Sequence, residues 1–478
     1  MIVSFGEWAP DLEEISIKGL AVAKNVVPGP DGYDSLNSLN SVTNALSGAC
    51  VGAAWFSDKS GNVNCFAGDA TKLYVLTGAT WADKSIVSGY TGATNWEFAQ
   101  FGQRIIATHI GNVVQYWDMG ASTLFANLPG TPPQAARIAV VGDFVVLGDL
   151  YEGSTNKPNW VRWSGFNASE LWTASSATQS DSQELFGRGG RVQKIIGGTT
   201  GIIFQEHAIR VMTFVGPPLI FRFDVAEVDS GTPAPNSVVA AGAKIFYYSH
   251  DGFYVFSLGS GSQCISDNRV TRWFQSECVD VTSLRGVVDR EAQRVMWAFN
   301  AGGATNDRVI IYDWSINKWS YGAVDTEILW EFATAGYTLE EMDSLISDVD
   351  AGTGSVDDRI YQGGAISVAA FDSSHKTATF TGSPLDATLE TGELIADRRL
   401  FINKMRPLVS GYSTMTAQVA SRSTLQTPSS FGGSSALNAS GEFTTRANAR
   451  YHKFRLNLSG GFSRAVGLDV NAVPEGNR

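Results

Sequence analysis

Between about residues 52 and 322 the chain returns repeatedly to one local pattern, and this repeat limits its possible folds more than any other feature. In each copy an apolar run ends in Tyr or Trp, a polar turn follows, and a second Trp or Phe often comes next. Six copies are anchored on one residue each, the weakest on a methionine: Tyr74, Tyr116, Trp163, Met212, Tyr254 and Tyr312. Their spacing of about 42 to 58 residues brackets the length of a β-propeller blade, which is a four-stranded antiparallel sheet.

A second apolar run precedes most anchors by the length of a hairpin. Examples are the runs at 103–108, 201–205 and 294–299, and short turns containing Gly, Asn or Asp join the strands in pairs. The runs are continuous and do not alternate with polar residues, as expected for blades that bury both faces. We therefore predict a mainly β protein with a propeller of about six blades at residues 51–325. An unrelated string of hairpins folded into a β-sandwich is the alternative.

The segments on either side of the repeat have different patterns. Residues 1–50 are predicted to form an extended N-terminal arm and assembly segment. Residues 326–370 are predicted to be a linker that contains a short helix and an acidic loop at 348–358. Thr338 and Glu341 form a capping box at the start of that helix. Residues 371–478 return to β patterns and are predicted to form a C-terminal β-sandwich-like domain.

The composition of the 478-residue chain agrees with a turn-rich β protein. It contains 50 glycines, and only 17% of its residues are charged. The net charge of −12 argues against a nucleic-acid-binding groove, which needs clustered Lys and Arg. It fits an ordinary soluble acidic protein, or a surface that DNA passes without sticking. The sequence has no signal-peptide pattern at its start and no apolar run of membrane-spanning length, so we predict that the protein is made and folded in the cytosol.

No motif in the chain predicts catalysis or ligand binding. The phosphate-binding loop, the zinc-protease helix and the nucleophile elbow are all missing, and the four cysteines have no metal-ligand spacing. The row Ser249, His250 and Asp251 is predicted to be a hairpin turn, because the members of a catalytic triad converge from different elements. The acidic loop fails the EF-hand spacing at Thr353. Four carboxylates could meet at a propeller mouth, but their spacing singles out no glycosidase pair: Asp143, Asp149, Glu152 and Glu206. We predict no catalytic, cofactor-binding or metal-binding residues, and no enzyme activity.

Four groups of segments, in this order along the chain, resemble one known family. They are residues 5–11 with 23–33; 96–102; 216–221 with 231–237 and 251–254; and 380–391 with 406–408 and 450–456. Together they resemble the tail nozzle or packaged-DNA-stabilisation proteins of short-tailed bacteriophages, which are similar to tail tubular protein B. No single segment is diagnostic; the order of the four carries the resemblance.

The resemblance implies a structural protein of the virion tail. Such a protein forms a hexameric ring below the portal and its adaptor ring, and the channel stays closed until infection. Tail fibres, spikes or a plug attach to the ring, and the packaged DNA passes through without sequence-specific binding. The family has no catalytic residues to carry over to this chain.

Three large aromatic residues lie outside the repeat and have no evident core of their own: Phe5, Trp8 and Tyr33. We predict that they form a subunit or adaptor interface. An alternative function is a propeller module of a tail fibre that binds or degrades surface polysaccharide. That function requires a carboxylate pair or a cationic patch at one end of the channel, or aromatic residues that face open pockets between the blades.

Overall fold

The structure is a computed structural model that describes residues 1–333 and 366–474. It is mainly β, as predicted. Five short strands come before the repeat: β1 (Ile2–Ser4), β2 (Leu20–Lys24), β3 (Val26–Pro28), β4 (Tyr33–Ser35) and β5 (Asn40–Ala45).

All six predicted repeats form four-stranded antiparallel sheets, so the propeller is confirmed. Blade 1 contains β6 (Gly52–Ser57), β7 (Val63–Gly68), β8 (Leu73–Thr77) and β9 (Thr80–Asp83). Blade 2 contains β10 (Glu97–Phe101), β11 (Arg104–Thr108), β12 (Gln115–Asp118) and β13 (Ala126–Asn127). Blade 3 contains β14 (Gln134–Val141), β15 (Phe144–Glu152), β16 (Thr155–Trp163) and β17 (Asp181–Glu184).

The next three blades follow the same order. Blade 4 contains β18 (Val192–Ile196), β19 (Gly201–Gln205), β20 (Ala208–Gly216) and β21 (Ile220–Val228). Blade 5 contains β22 (Val239–Ala241), β23 (Lys244–Ser249), β24 (Gly252–Ser257) and β25 (Gly261–Cys264). Blade 6 contains β26 (Arg285–Asp289), β27 (Arg294–Phe299), β28 (Arg308–Asp313) and β29 (Lys318–Gly322). Each of the six anchor residues lies in the third strand of its blade.

A seventh four-stranded sheet closes the ring between blades 6 and 1. It contains β30 (Ile328–Ala333), β31 (Ile366–Phe371) and β32 (Lys376–Thr379), and its outer strand is β5 from the N-terminal segment. Ser41 of β5 pairs with Ala378 of β32, so strands from opposite ends of the chain meet here. Two predicted boundaries therefore need correction. The described ends of the 326–370 linker form strands of the seventh sheet, and the 1–50 arm supplies a further strand of that sheet. Pairing over such a separation leaves no periodic trace in the sequence.

The first strands of successive blades pack against one another around the central axis. A short 3₁₀ helix, Pro235–Ser237, follows blade 4 and precedes blade 5 in the chain. It contacts β18 of blade 4 and β26 of blade 6. Trp96 is wedged between blades 1 and 2, and its indole N–H donates to the carbonyl of Asp69 at 2.9 Å. A Cβ added at Gly68 would lie 2.3 Å from the Trp96 ring, so only glycine permits this contact.

Helical structure is scarce among the described residues. One α helix, α1 (Thr271–Glu277), lies between blades 5 and 6, and a second 3₁₀ helix covers Val281–Ser283. The sequence analysis predicted neither. The helix predicted to begin near Thr338, and the acidic loop that follows it, lie outside the described residues.

The C-terminal strands form a curved sheet that is continuous with the propeller. They are β33 (Ala387–Thr391), β34 (Leu394–Ser410), β35 (Thr414–Arg422), β36 (Ser435–Ala436), β37 (Phe443–Ser459) and β38 (Arg464–Pro474). Strand β37 pairs with β33, β34 and β35 along its length. Strand β2 pairs with β29 of blade 6 on one side and with β33 on the other, so it joins the two parts into one 14-stranded sheet.

Candidate functional site: the central channel

A cavity of about 540 Å³ lies on the propeller axis, and the first strands of all seven blades line it. Most of its wall is backbone and small or apolar side chains. Five charged side chains also face it: Glu97, Lys194, Arg285, Arg290 and Glu331. Its volume is within the range of small-ligand pockets, roughly 300–1,000 Å³.

Glu97 binds three blades together at the end of the channel where the first strands begin. Its Oε1 accepts hydrogen bonds from Arg137 Nη1 of blade 3 at 3.1 Å and from Lys194 Nζ of blade 4 at 2.9 Å. Its Oε2 accepts from the backbone N–H of Ile138 at 3.2 Å. Burial acts to raise the pKa of Glu97, but Lys194 and Arg137 outweigh it and hold the pKa below its usual value. The carboxylate is buried and ionised, and both of its oxygens accept hydrogen bonds.

Arg285 lies beside this cluster without a carboxylate of its own. It begins β26 of blade 6, and its Nη1 donates to Asn95 Oδ1 at 2.5 Å. No ion pair joins its guanidinium to any Asp or Glu among the described residues. Burial, together with repulsion from Arg137, lowers the pKa of Arg285 to about 10. Four cations therefore lie around two carboxylates, Glu97 and the nearby Asp149: Arg137, Arg191, Lys194 and Arg285.

Two buried donors beside Arg285 have no hydrogen-bond partner among the described residues. They are the side-chain nitrogen Nδ2 of Asn95 and the Nε of Arg137. A buried donor without a partner costs roughly 1–3 kcal/mol, so each such group in a folded protein calls for a specific reason. Here both donors lie next to the unpaired cation.

The other end of β26 is electrically balanced. Arg290 directly follows this strand, and its Nη2 lies 3.3 Å from Glu331 Oε1 and 3.2 Å from the carbonyl oxygen of Ala240. Burial raises the pKa of Glu331, and the attraction of Arg290 acts against that shift. The excess positive charge of the channel is thus confined to the end that contains Arg285.

The three aromatic residues predicted to form an interface are all buried inside the chain. Their exposed fractions are 1% for Phe5, 0% for Trp8 and 0% for Tyr33. The Trp8 ring packs against Trp273 at 4.7 Å and Tyr321 at 5.0 Å between ring centroids. The premise that these residues lack a core within the chain is therefore wrong. The ring partners of Trp8 come from α1 and blade 6 and lie 265 and 313 residues away in sequence.

Other candidate groups are accounted for by local structure. Ser249, His250 and Asp251 form the hairpin turn between β23 and β24, as predicted. Of the four carboxylates considered, Asp149 is paired with Arg191 at 3.2 Å and Glu152 contacts Lys157 and Arg162. The four cysteines are free, and Cys264 is exposed. No group of three His, Cys, Asp or Glu residues in the described ranges is placed to hold a metal ion, and no described helix is long and apolar enough to span a membrane.

The sequence analysis did not identify the charged cluster of the channel. Its members lie in four different blades, so no spacing motif joins them: Glu97, Arg137, Lys194 and Arg285. The available signal was positional, because each is a charged residue within the first strand of a blade. Only closure of the propeller brings these strands together around the axis.

Comparison with known proteins leaves the family open. No family model matches the chain, and no curated protein matches it. A similar solved structure is described as "Crystal structure of BBS1N in complex with ARL6DN, soaked with mercury". The likeness covers 72% of this chain and 97% of that chain, with 9% sequence identity and a TM-score of 0.42. A likeness this distant carries no argument about function.

Proposed function

We propose that the chain is a structural subunit of a short-tailed phage tail, in which six copies form the nozzle ring that closes the DNA exit channel. The ring retains the packaged genome and conducts it outward at infection. It docks on the portal adaptor ring and carries fibres, spikes or a plug. The ordered resemblance of the four groups of segments is what first indicates this function.

The structural observation that supports the proposal most is the continuity of one sheet through the whole subunit. Strand β2 pairs with both β29 and β33, so hydrogen bonds join blade 6 directly to the C-terminal strands. One hydrophobic core also contains side chains from the N-terminal segment, from blades 5 and 6, and from the C-terminal strands. A subunit built in this way resists bending between its parts, which suits a ring that must hold a pressurised genome.

The size of the propeller cavity requires that DNA pass between copies. A volume of about 540 Å³ suits a small molecule and is far too small for a double helix. The conduit must therefore be the space that the copies enclose. Each copy brings a net charge of −12, so a ring of six repels the phosphate backbone over about a Debye length, roughly 8 to 10 Å.

The oligomeric state and the interaction with DNA test this proposal. We expect native mass spectrometry to show six copies, and negative-stain electron microscopy to show rings with an opening at the centre. Duplex DNA should bind only weakly at 50 mM salt. Deleting the gene from its phage should give heads that fill with DNA and then lose it.

Two results would contradict the nozzle function. The first is tight, salt-sensitive DNA binding by the purified protein. The second is a monomer at every concentration that binds or cleaves surface polysaccharide, which would instead support the tail-fibre module.

A further inference from the structure

The channel end near Arg285 has an excess of positive charge that the described residues do not neutralise. Arg137, Lys194 and Arg285 lie near Glu97, whose carboxylate accepts hydrogen bonds from Arg137, Lys194 and the backbone of Ile138. The nearby Asp149, which attracts Arg137, is paired with Arg191. Glu97 attracts Arg285, but no ion pair joins the two side chains. An unpaired charge at a partly desolvated site is expensive, and proteins usually pair such a charge with an opposite one.

The cationic side chains at this end of the channel indicate which kind of ligand would fit. Arg285 and Lys194 line the cavity and are hydrogen-bond donors. The unpaired Nδ2 of Asn95 and Nε of Arg137 are buried beside them. A guanidinium presents its N–H groups as a planar fork that matches the oxygens of a phosphate or a carboxylate. The cavity of about 540 Å³ is large enough to admit such a group. Asn95, Glu97, Lys194 and Arg285 all line it.

We propose that the central channel binds a small oxyanion, a phosphate or a carboxylate group, on Arg285 with Lys194 as the neighbouring donor. The bound anion neutralises the excess charge at the meeting point of blades 2, 3, 4 and 6. It therefore stabilises the closed ring of blades. The site is independent of the nozzle function and exists in a single copy of the chain.

Titration with inorganic phosphate and with malonate tests the site, with chloride at matched ionic strength as the reference. We expect saturable binding of at least one of them by calorimetry, together with a rise in the melting temperature that grows with anion concentration. The Arg285→Met variant should bind at least tenfold more weakly. The matched control is Arg290→Met, because Arg290 lies about 16 Å further along the same strand direction and already has Glu331 as its partner. It should bind within twofold of the wild type.

A second variant covers the case in which Arg285→Met does not fold. Asn95→Asp keeps the side-chain shape and places a carboxylate against Arg285. It should make the anion-free protein at least as stable as the wild type and abolish the response to both anions. The inference is overturned if neither anion exceeds the effect of chloride, or if Arg290→Met loses as much affinity as Arg285→Met. It is also overturned if Asn95→Asp responds as the wild type does.

Discussion

At the scale of single residues, Glu97 holds three blades together with one buried carboxylate. It begins β10, and its hydrogen bonds reach β14 and β18, so removing it leaves Arg137 and Lys194 without their shared counter-charge. Breaking a buried ion pair by removing one partner typically costs about 3–5 kcal/mol, because the remaining charge stays buried. The stability of the closed propeller therefore depends strongly on the Glu97 side chain.

We predict that Glu97→Gln lowers the free energy of unfolding by about 3–5 kcal/mol at pH 7, measured by urea denaturation. The pKa of Glu97 is lowered in the folded chain, so its contribution is fully present above the unfolded carboxyl pKa of about 4.5. That contribution is lost as the pH falls through the lower folded pKa. The difference between the two proteins should therefore shrink steadily below pH 4.5.

The control for this prediction is Glu170→Gln. Glu170 also pairs with an arginine, Arg104 at 2.5 Å, but its side chain is 50% exposed. An exposed pair contributes about 0–1 kcal/mol, so this variant should differ little from the wild type. Equal losses for the two variants, or a Glu97 effect that does not change with pH, would contradict the role assigned to the buried cluster.

Residues that pack within one blade could be predicted from the sequence, whereas residues that meet across blades could not. The six anchors were found because each belongs to a continuous local pattern that recurs. Glu97 and Arg285 were missed because their neighbours come from other repeats. A single charged residue, taken alone, is predicted to lie on the solvent-exposed surface. Trp8 was misread for the same reason, since its partners Trp273 and Tyr321 are distant in the chain.

At the scale of elements, strand β5 closes the propeller. It supplies the outer strand of the seventh sheet through Asn40, Ser41 and Ala45, which pair with β32. Asn44 then reaches blade 1, where its Oδ1 accepts from the backbone N–H of Trp81 at 2.6 Å. The N-terminal segment is therefore a structural part of the propeller.

We predict that a chain beginning at residue 47 loses its cooperative unfolding transition and aggregates. The deletion exposes the edge of β32 and removes Phe5, Trp8 and Tyr33 from the largest core. A chain lacking only residues 1–3 should unfold nearly as the wild type does, because it loses only part of the short strand β1. The measurement is circular dichroism during heating, with light scattering for aggregation. A sharp transition from the longer truncation would show that β5 is dispensable.

At the scale of the whole molecule, one sheet and one core couple the C-terminal strands to the propeller. Their predicted separation as a β-sandwich-like domain rested on a change in local pattern, and no pattern could reveal that β2 bridges them. All 13 tryptophans lie between Trp8 and Trp330, so tryptophan fluorescence reports on the propeller and N-terminal segment alone. Circular dichroism reports on the strands of both parts. The two signals can therefore distinguish coupled from independent unfolding.

We predict that Phe454→Ala, a change in the C-terminal core, shifts the fluorescence and circular dichroism midpoints in urea by the same amount. Phe454 is fully buried in β37, and truncating a buried phenylalanine costs about 3–5 kcal/mol. If the parts unfold as one unit, the tryptophan signal must shift with that loss, although no tryptophan lies in the C-terminal strands. Val473→Ala, at a position 47% exposed, is the matched control and should shift neither midpoint. An early unfolding phase seen only by circular dichroism, with the fluorescence midpoint unchanged, would mean that the C-terminal strands fold independently. The subunit would then lack the rigidity on which the nozzle proposal depends.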